Sequence, residues 1–308
     1  MKDIQDISAF WKAHNNSDLV LATIVRKTGS AYRQPGAKKV ISTYGADAGY
    51  LSGGCLEGEI NRTACEGFSK LPFVKSFSTM SDEDRLMGYQ TGCAGEIAIL
   101  FERLPDYNQE NVKTYLAYGL DDCAGVRVEL DDQKLGQRHF VESEQDCEDD
   151  ACFFDAAVRP VALNVIGAGP NSRPFSELCK TLGWQVRFLD YRPSEIDGAI
   201  QSPISEFHTH VMTGPHAALI IMTHNYEADM DVLENLHEMP FGYMAAVGPK
   251  SRFENLKSDI KRLKNLNINL DWFAKFYAPA GLFKGRAPEE IALSIVAEIQ
   301  SVEHGRKS

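Results

Sequence analysis

Apolar residues along this chain return in two rhythms. Residues 6–14 repeat at helical spacing, and 19–26 (LVLATIVR) follow as a mostly apolar run that predicts a buried strand. The loop TGSAYRQPG leads to a second strand over 38–43, and Gly45 and Gly49 mark a turn into a third over 50–52. The segment SGGCLEGEINRTACEGF comes next. Its glycines end the strand, and a helical period begins near Cys55. Strands over 74–78 and 96–102 complete a compact α/β unit.

Between residues 104 and 159 the pattern weakens, acidic residues accumulate and Asp131-Asp132 reads as a turn. A helix over 112–118 and a strand over 126–130 are the elements expected there. From Arg159 the alternation sharpens: strand 160–166, Gly167-Ala168-Gly169, helix 171–182 stopped by Gly183, strand 184–189. Strands over 217–222 and 243–247 then alternate with helices over 228–237 and 252–263, which predicts a parallel, doubly wound sheet. A last helix opens at Pro288, with Glu289 and Glu290 in its first turn. The expected class is therefore α/β. A small N-terminal α/β domain (1–105) is followed by a partly structured acidic connecting segment (106–158) and a Rossmann-like domain (159–308).

Bulk composition narrows the function classes. The chain has 308 residues, 44% of them apolar and 24% charged, which suits a globular protein of two domains. A formal charge of −11 without a basic stripe argues against nucleic acid as a partner. No run approaches the ~20 apolar residues of a membrane span, and residues 1–4 lack the apolar core of a signal peptide. A cytoplasmic protein is expected, without a membrane partner, and its seven cysteines are expected as thiols.

The turn Gly167-Ala168-Gly169-Pro170-Asn171-Ser172 carries a G-x-G-x-x-small pattern, with Asp190 closing the next strand. Glycines let backbone approach a phosphate, and a helix start supplies free N–H donors. Asp190 would accept from a ribose hydroxyl, whereas Arg192 would meet a phosphate. The same geometry serves NAD(P) or any other phosphorylated ligand, a pterin phosphate included, and glycines at such a turn also serve plain helix-on-sheet packing. Thr223 and His224 follow an apolar strand where α/β sheets place ligands.

The second constellation is Ser52-Gly53-Gly54-Cys55-Leu56-Glu57. A sulfur at a helix start feels the dipole and can act as thiolate, binding a soft metal or carrying a sulfane sulfur. On spacing alone an inert buried cysteine is the stronger reading. Cys93, in Thr91-Gly92-Cys93-Ala94-Gly95, is a second glycine-flanked cysteine, while Cys65 and Cys179 read as helix-core residues. No C-x-x-C, H-E-x-x-H, Walker phosphate loop or G-x-S-x-G elbow is present.

Taken together, GSAYRQPGAKKVIS, LSGGCLEGEI and TGCAGEIAILFE resemble the N-terminal motifs of the XdhC/CoxI family, maturation factors of xanthine and carbon-monoxide dehydrogenases. VIGAGPNSRPFSELCKTLGWQVRFLDYRP, IMTHNYEADMDVL, GPKSRFENL and APAGLFKGRAPEEIALSIVAEIQ resemble its Rossmann-like domain in order and spacing. Only 104–158 lies outside the likeness.

The resemblance implies a cofactor chaperone more than a turnover enzyme. Such a protein binds molybdenum cofactor (molybdopterin), supports its sulfuration with a cysteine desulfurase and inserts it into an apo molybdenum hydroxylase of xanthine-dehydrogenase type. A homodimer is expected, because a shared cleft shields a labile ligand. By motif, Cys55 carries over as the functional cysteine and molybdenum contact, with Cys93 second. Gly167, Gly169 and Asp190 carry over as the phosphate or nucleotide-like site, and Ser52, Gly53, Gly54, Asn171, Arg192, Thr223 and His224 complete the candidate cofactor site from the reading of the residues themselves. The rival functions are an NAD(P)-dependent oxidoreductase and a scaffold that bridges desulfurase and dehydrogenase. Ala94 stands where the family's second motif usually has glycine, and Asn171 and Tyr191 stand where many relatives have Asp and His.

Overall fold

The chain divides at Arg159 into two units, Met1–Arg159 and Pro160–Ser308. The computed structural model describes all residues except 16, 79–94, 121–122, 148–149, 264–275 and 306–308, with backbone alone at 257 and 260–263.

The first unit is built on β1 (Leu19–Gly29), the run read as a buried strand. With β2 (Lys38–Ser42), β3 (Asp47–Gly49), β4 (Phe73–Ser78) and β5 (Gly95–Arg103) it forms an antiparallel sheet in the order β3-β2-β1-β5-β4. Alternate side chains of a strand point to opposite faces, and here both faces are covered. Val20, Ala22 and Ile24 pack against Ile60 and Ala64 of α2 (Glu57–Glu66). Leu19 and Leu21 pack against Ile4, Ile7 and Trp11 of α1 (Lys2–Ala13) and Val112 and Leu116 of α3 (Gln109–Leu116). Double coverage explains why β1 shows no polar alternation. Each fully buried aliphatic side chain contributes roughly 1.5–3 kcal/mol of transfer free energy.

The acidic stretch after β5 folds further than its pattern suggests. It holds α3, then β6 (Gly125–Glu129), β7 (Arg138–Val141) and β8 (Cys152–Ala156), paired antiparallel in the order β7-β6-β8. Val126, Val128 and Phe153 share a core with Val25 and Leu100. Two buried ion pairs tie it to the first sheet: Lys38 to Asp155 at 2.7 Å and Arg138 to Glu102 at 2.5 Å. Here one expectation fails, since Cys147 and Cys152 form a disulfide rather than two thiols. The turn into β8 brings their Cα atoms to 5.9 Å, inside the range a bridge requires.

In the second unit, β9 (Ala162–Ile166), β10 (Gln185–Asp190), β11 (Ile200–Gln201), β12 (Gly214–Ile221), β13 (Phe241–Ala246) and β14 (Phe276–Tyr277) form one parallel sheet. The order β11-β10-β9-β12-β13-β14 reverses direction between β9 and β12, the switch point of a doubly wound fold. Leucine and valine from α5 (Tyr226–Leu236) and residues of α6 (Lys250–Leu263) cover one face. Side chains of α4 (Arg173–Leu182) and α7 (Pro288–Glu303) cover the other. Gly183 ends α4 in the left-handed conformation at φ 73°. The start of α5 lies two residues before the expected one, because Asn225 caps it by accepting from Glu227 N and Ala228 N. Among the described residues, no helix is long and apolar enough to cross a membrane.

Candidate functional site

Cys55 stands two residues before α2, in a turn rather than in the helix, and its side chain is exposed. The turn is held by a relay that begins on β2. Lys39, buried in that strand, reaches Glu57 at 2.7 Å and Asp47 at 3.1 Å. Glu57 Oε1 then accepts from Leu51 N at 2.9 Å, Ser52 N at 2.7 Å and Ser52 Oγ at 2.9 Å. Ser52 Oγ in turn accepts from Gly54 N and Leu56 N, the amides on either side of the cysteine. Burial opposes ionisation of Glu57, yet the Lys39 ammonium and the three donors outweigh it and hold the carboxyl below its ordinary range.

The two glycines of this turn serve different ends. Gly54 adopts φ +116° with open space around it, so conformation requires it. At Gly53 a Cβ would stand 3.5 Å from the ring of Tyr32, an ordinary contact. Tyr32 and Tyr50 are both exposed beside the turn, and Arg33 lies over the Tyr50 ring at 4.7 Å.

The other cysteines separate clearly. Cys65, expected in a helix core, is exposed on α2, because the buried side of that helix is its Ile60–Ala64 stripe. Cys179 is buried in α4, and burial pushes its thiol up to about 12. Cys93 lies outside the described residues. Among the described residues no three His, Cys, Asp or Glu side chains gather into a metal centre.

In the second unit the structure brings Gly167, Gly169, Asn171, Asp190, Arg192, Thr223 and His224 to the carboxyl ends of the adjacent strands β9, β10 and β12. Gly167, at φ +109°, is required by packing: a Cβ there would meet Met222 O at 2.5 Å. Gly169 is different. Its φ is −84° and nothing lies within 4 Å of the Cβ position, so neither strain nor packing demands glycine.

Asp190 closes the turn from beneath. Its carboxylate accepts from Ala168 N at 2.9 Å, Arg192 N at 2.9 Å and Arg192 Nε at 3.1 Å. Burial works against the charge, but these bonds, led by the Arg192 guanidinium, keep the group below its ordinary range. Ser194 Oγ donates to Ala168 O at 2.7 Å. Pro170 and Pro174 have no N–H, Ser172 N donates to Gly169 O, and Arg173 N donates to Pro170 O. The amides of Gly169 and Asn171 are thus the donors at this turn without an acceptor among the described residues.

Beyond β12, Thr223 is buried and its hydroxyl bonds Asp229, which Arg252 holds at 2.7 Å. Its part in the geometry is to fix the loop. His224, at φ +58°, is exposed at the strand end in a conformation uncommon for a residue with a Cβ. Glu57 stood in the sequence constellation without a role, and sequence reasoning missed Lys39, Ser194, Asp229 and Arg252. Only Lys39 had a visible signal, one of two lysines opening a strand buried throughout.

Comparison with known proteins gives these turns a context. A model of the XdhC and CoxI family matches residues 13–70, and a model of the XdhC Rossmann domain matches 163–299, together more than half of the chain. A Bacillus subtilis protein named as a probable subunit of xanthine dehydrogenase is 27% identical over 92% of this chain and 93% of its own length. The molybdenum cofactor insertion chaperone PaoD of Escherichia coli is 24% identical over 92% of this chain and 83% of its own. A crystal structure described as a xanthine dehydrogenase from Bacillus halodurans superposes with a TM-score of 0.79 at 26% identity, covering 100% of this chain and 97% of that one. Both units match, in order, and the chain belongs to the XdhC and CoxI family.

Proposed function

We propose that this protein carries molybdenum cofactor as cargo for a xanthine-dehydrogenase-type molybdenum hydroxylase, supports its sulfuration and delivers it. The observation that carries this reading is the exposed Cys55 thiol on a turn whose flanking amides are tied down through Ser52, Glu57 and Lys39. A reachable sulfur on a fixed loop suits a soft metal centre. It also suits persulfide relay. The Cys55 thiolate attacks the outer sulfur of a desulfurase persulfide, the S–S bond of the donor breaks, and the donor leaves as thiolate. Family membership and the insertion role that PaoD is named for support the same direction.

In the second unit, the free amides of Gly169 and Asn171, with Arg192, suit an anionic portion of the cargo. A nicotinamide dinucleotide fits less well, because both oxygens of Asp190 already accept from Ala168 N and Arg192. A desulfurase and a second copy of the chain are the partners this reading proposes.

The test is anaerobic purification with molybdenum and pterin analysis, followed by activation of the apo-hydroxylase. Cys55→Ala is expected to yield a client that contains molybdenum, lacks the sulfido ligand and has lost activity about a hundredfold or more. Wild-type protein without affinity for the cofactor overturns the proposal. Hydride-transfer assays with nicotinamide nucleotides decide the dehydrogenase alternative.

A further inference from the structure

A cavity at the carboxyl edge of the second sheet is used by neither glycine turn. After β13 the chain runs through Val247, Gly248 and Pro249, and after β14 it runs through a strap over 279–285. These stretches and Ile291 of α7 line a half-open cavity of about 670 Å³, with a mostly apolar wall. Small-molecule pockets span about 300–1,000 Å³ and share that character.

The strap is pinned by buried polar groups of α7. Glu298 accepts from Gly281 N at 2.8 Å and from the Tyr243 hydroxyl. Ser294 accepts from Phe283 N at 2.9 Å and donates to Phe283 O at 2.7 Å. Gly281, at φ +100°, admits this clasp, since a Cβ there would stand 2.5 Å from Ser294 Oγ. Burying a serine and a glutamate among apolar side chains is costly unless they are bonded. Here they fix the strap backbone while Leu282 and Phe283, which line the cavity, remain 49% and 50% exposed. A strap that only covered the core would turn those two side chains inward. Lys284 N and Gly285 N have no acceptor among the described residues, and both residues line the cavity.

We propose that this cavity binds a flat, fused heteroaromatic ring, packed on Phe283 and Leu282, whose ring carbonyl accepts from the amides of Lys284 and Gly285. The assignment extends the carrier reading, since the pterin of that cargo is one such ring. A guanine nucleotide presents the same aminopyrimidinone edge.

The full chain is titrated with pterin-6-carboxylate and, separately, with GMP, followed by ligand fluorescence and calorimetry. Micromolar binding of either ring is expected, with Phe283→Ala weakening it about tenfold or more, as loss of a stacking partner does. Phe283→Tyr should restore it. The half-exposed position leaves folding intact, which thermal unfolding verifies. Tighter binding of pterin or of GMP supports the pocket and names the source of the ring. Failure of both to bind, or unchanged affinity in Phe283→Ala, overturns it. If the variant keeps wild-type affinity for both rings and retains as much molybdenum cofactor as wild type, the pocket falls and the carrier reading stands. If wild type binds GMP but no cofactor, the reverse holds.

Discussion

The two glycine-rich turns, one before α2 and one after β9, are built in opposite senses. Around Cys55 the amides of Leu51, Ser52, Gly54 and Leu56 are taken up by Glu57 and Ser52, and a side chain faces outward. Around Gly169 the side chains of Asp190 and Ser194 lock the turn from inside, and amides remain for an outside acceptor. The first turn offers a nucleophile and soft ligand. The second offers hydrogen-bond donors to an anion. Glycine content alone does not distinguish these roles, because Gly54 and Gly167 answer to backbone conformation and packing while Gly169 answers to neither.

The sharpest way to break this comparison is at the second turn. Gly167→Ala drives a Cβ into Met222 O and strains a left-handed residue, so a loss of roughly 2–4 kcal/mol is expected in denaturant unfolding. Gly169→Ala should cost under about 1 kcal/mol and act on anion affinity alone. Equal stability losses at the two positions would show that both glycines serve packing.

A smaller effect is expected at the first turn. Glu57→Gln weakens the Lys39 bond and the hold on three donors, for a loss of about 1–2 kcal/mol at neutral pH. Because the folded carboxyl titrates below its unfolded value, the unfolded chain binds the proton more readily. The stability it contributes is therefore present above the ordinary carboxylate range, near pH ~4, and is lost as pH falls through the lower folded value. Thermal unfolding against pH should show a shallower acid limb in Glu57→Gln than in wild type. Identical limbs would remove Glu57 from the relay.

The smallest perturbation is chemical. Under non-denaturing conditions iodoacetamide should modify the exposed Cys55 and Cys65 and spare Cys179, whose thiol is buried and pushed up to about 12. Peptide mass spectrometry reads the order. Labelling of Cys179 at the rate of Cys55 would contradict the burial on which this contrast depends.

Legibility in the sequence varied with the physics of each region. The βαβ alternation after residue 160 was readable, since strands buried on both faces of a parallel sheet become short apolar runs between glycine turns and helical periods. In the acidic stretch, β7 and β8 escaped notice: β7 is largely exposed and β8 carries the buried Asp155, so neither shows clean alternation. β14 has two residues and leaves no periodicity to read. The candidate residues at the glycine turn were visible as types, but which of their groups are already occupied was not.

What the sequence by itself determined is local: turns that need glycine, runs long enough to be buried, a cysteine placed just ahead of a helical period. Only the tertiary structure decided partnership. Lys38 and Lys39 are consecutive, yet one pairs with Asp155, 117 residues away, and the other with Glu57, 18 residues away. Alternation along β2 sends neighbouring side chains to opposite faces, and what waits on each face is delivered by distant segments of chain. The same rule made the first seven residues of β1 buried without alternation in an antiparallel sheet, because α1 and α3 cover one face and α2 the other.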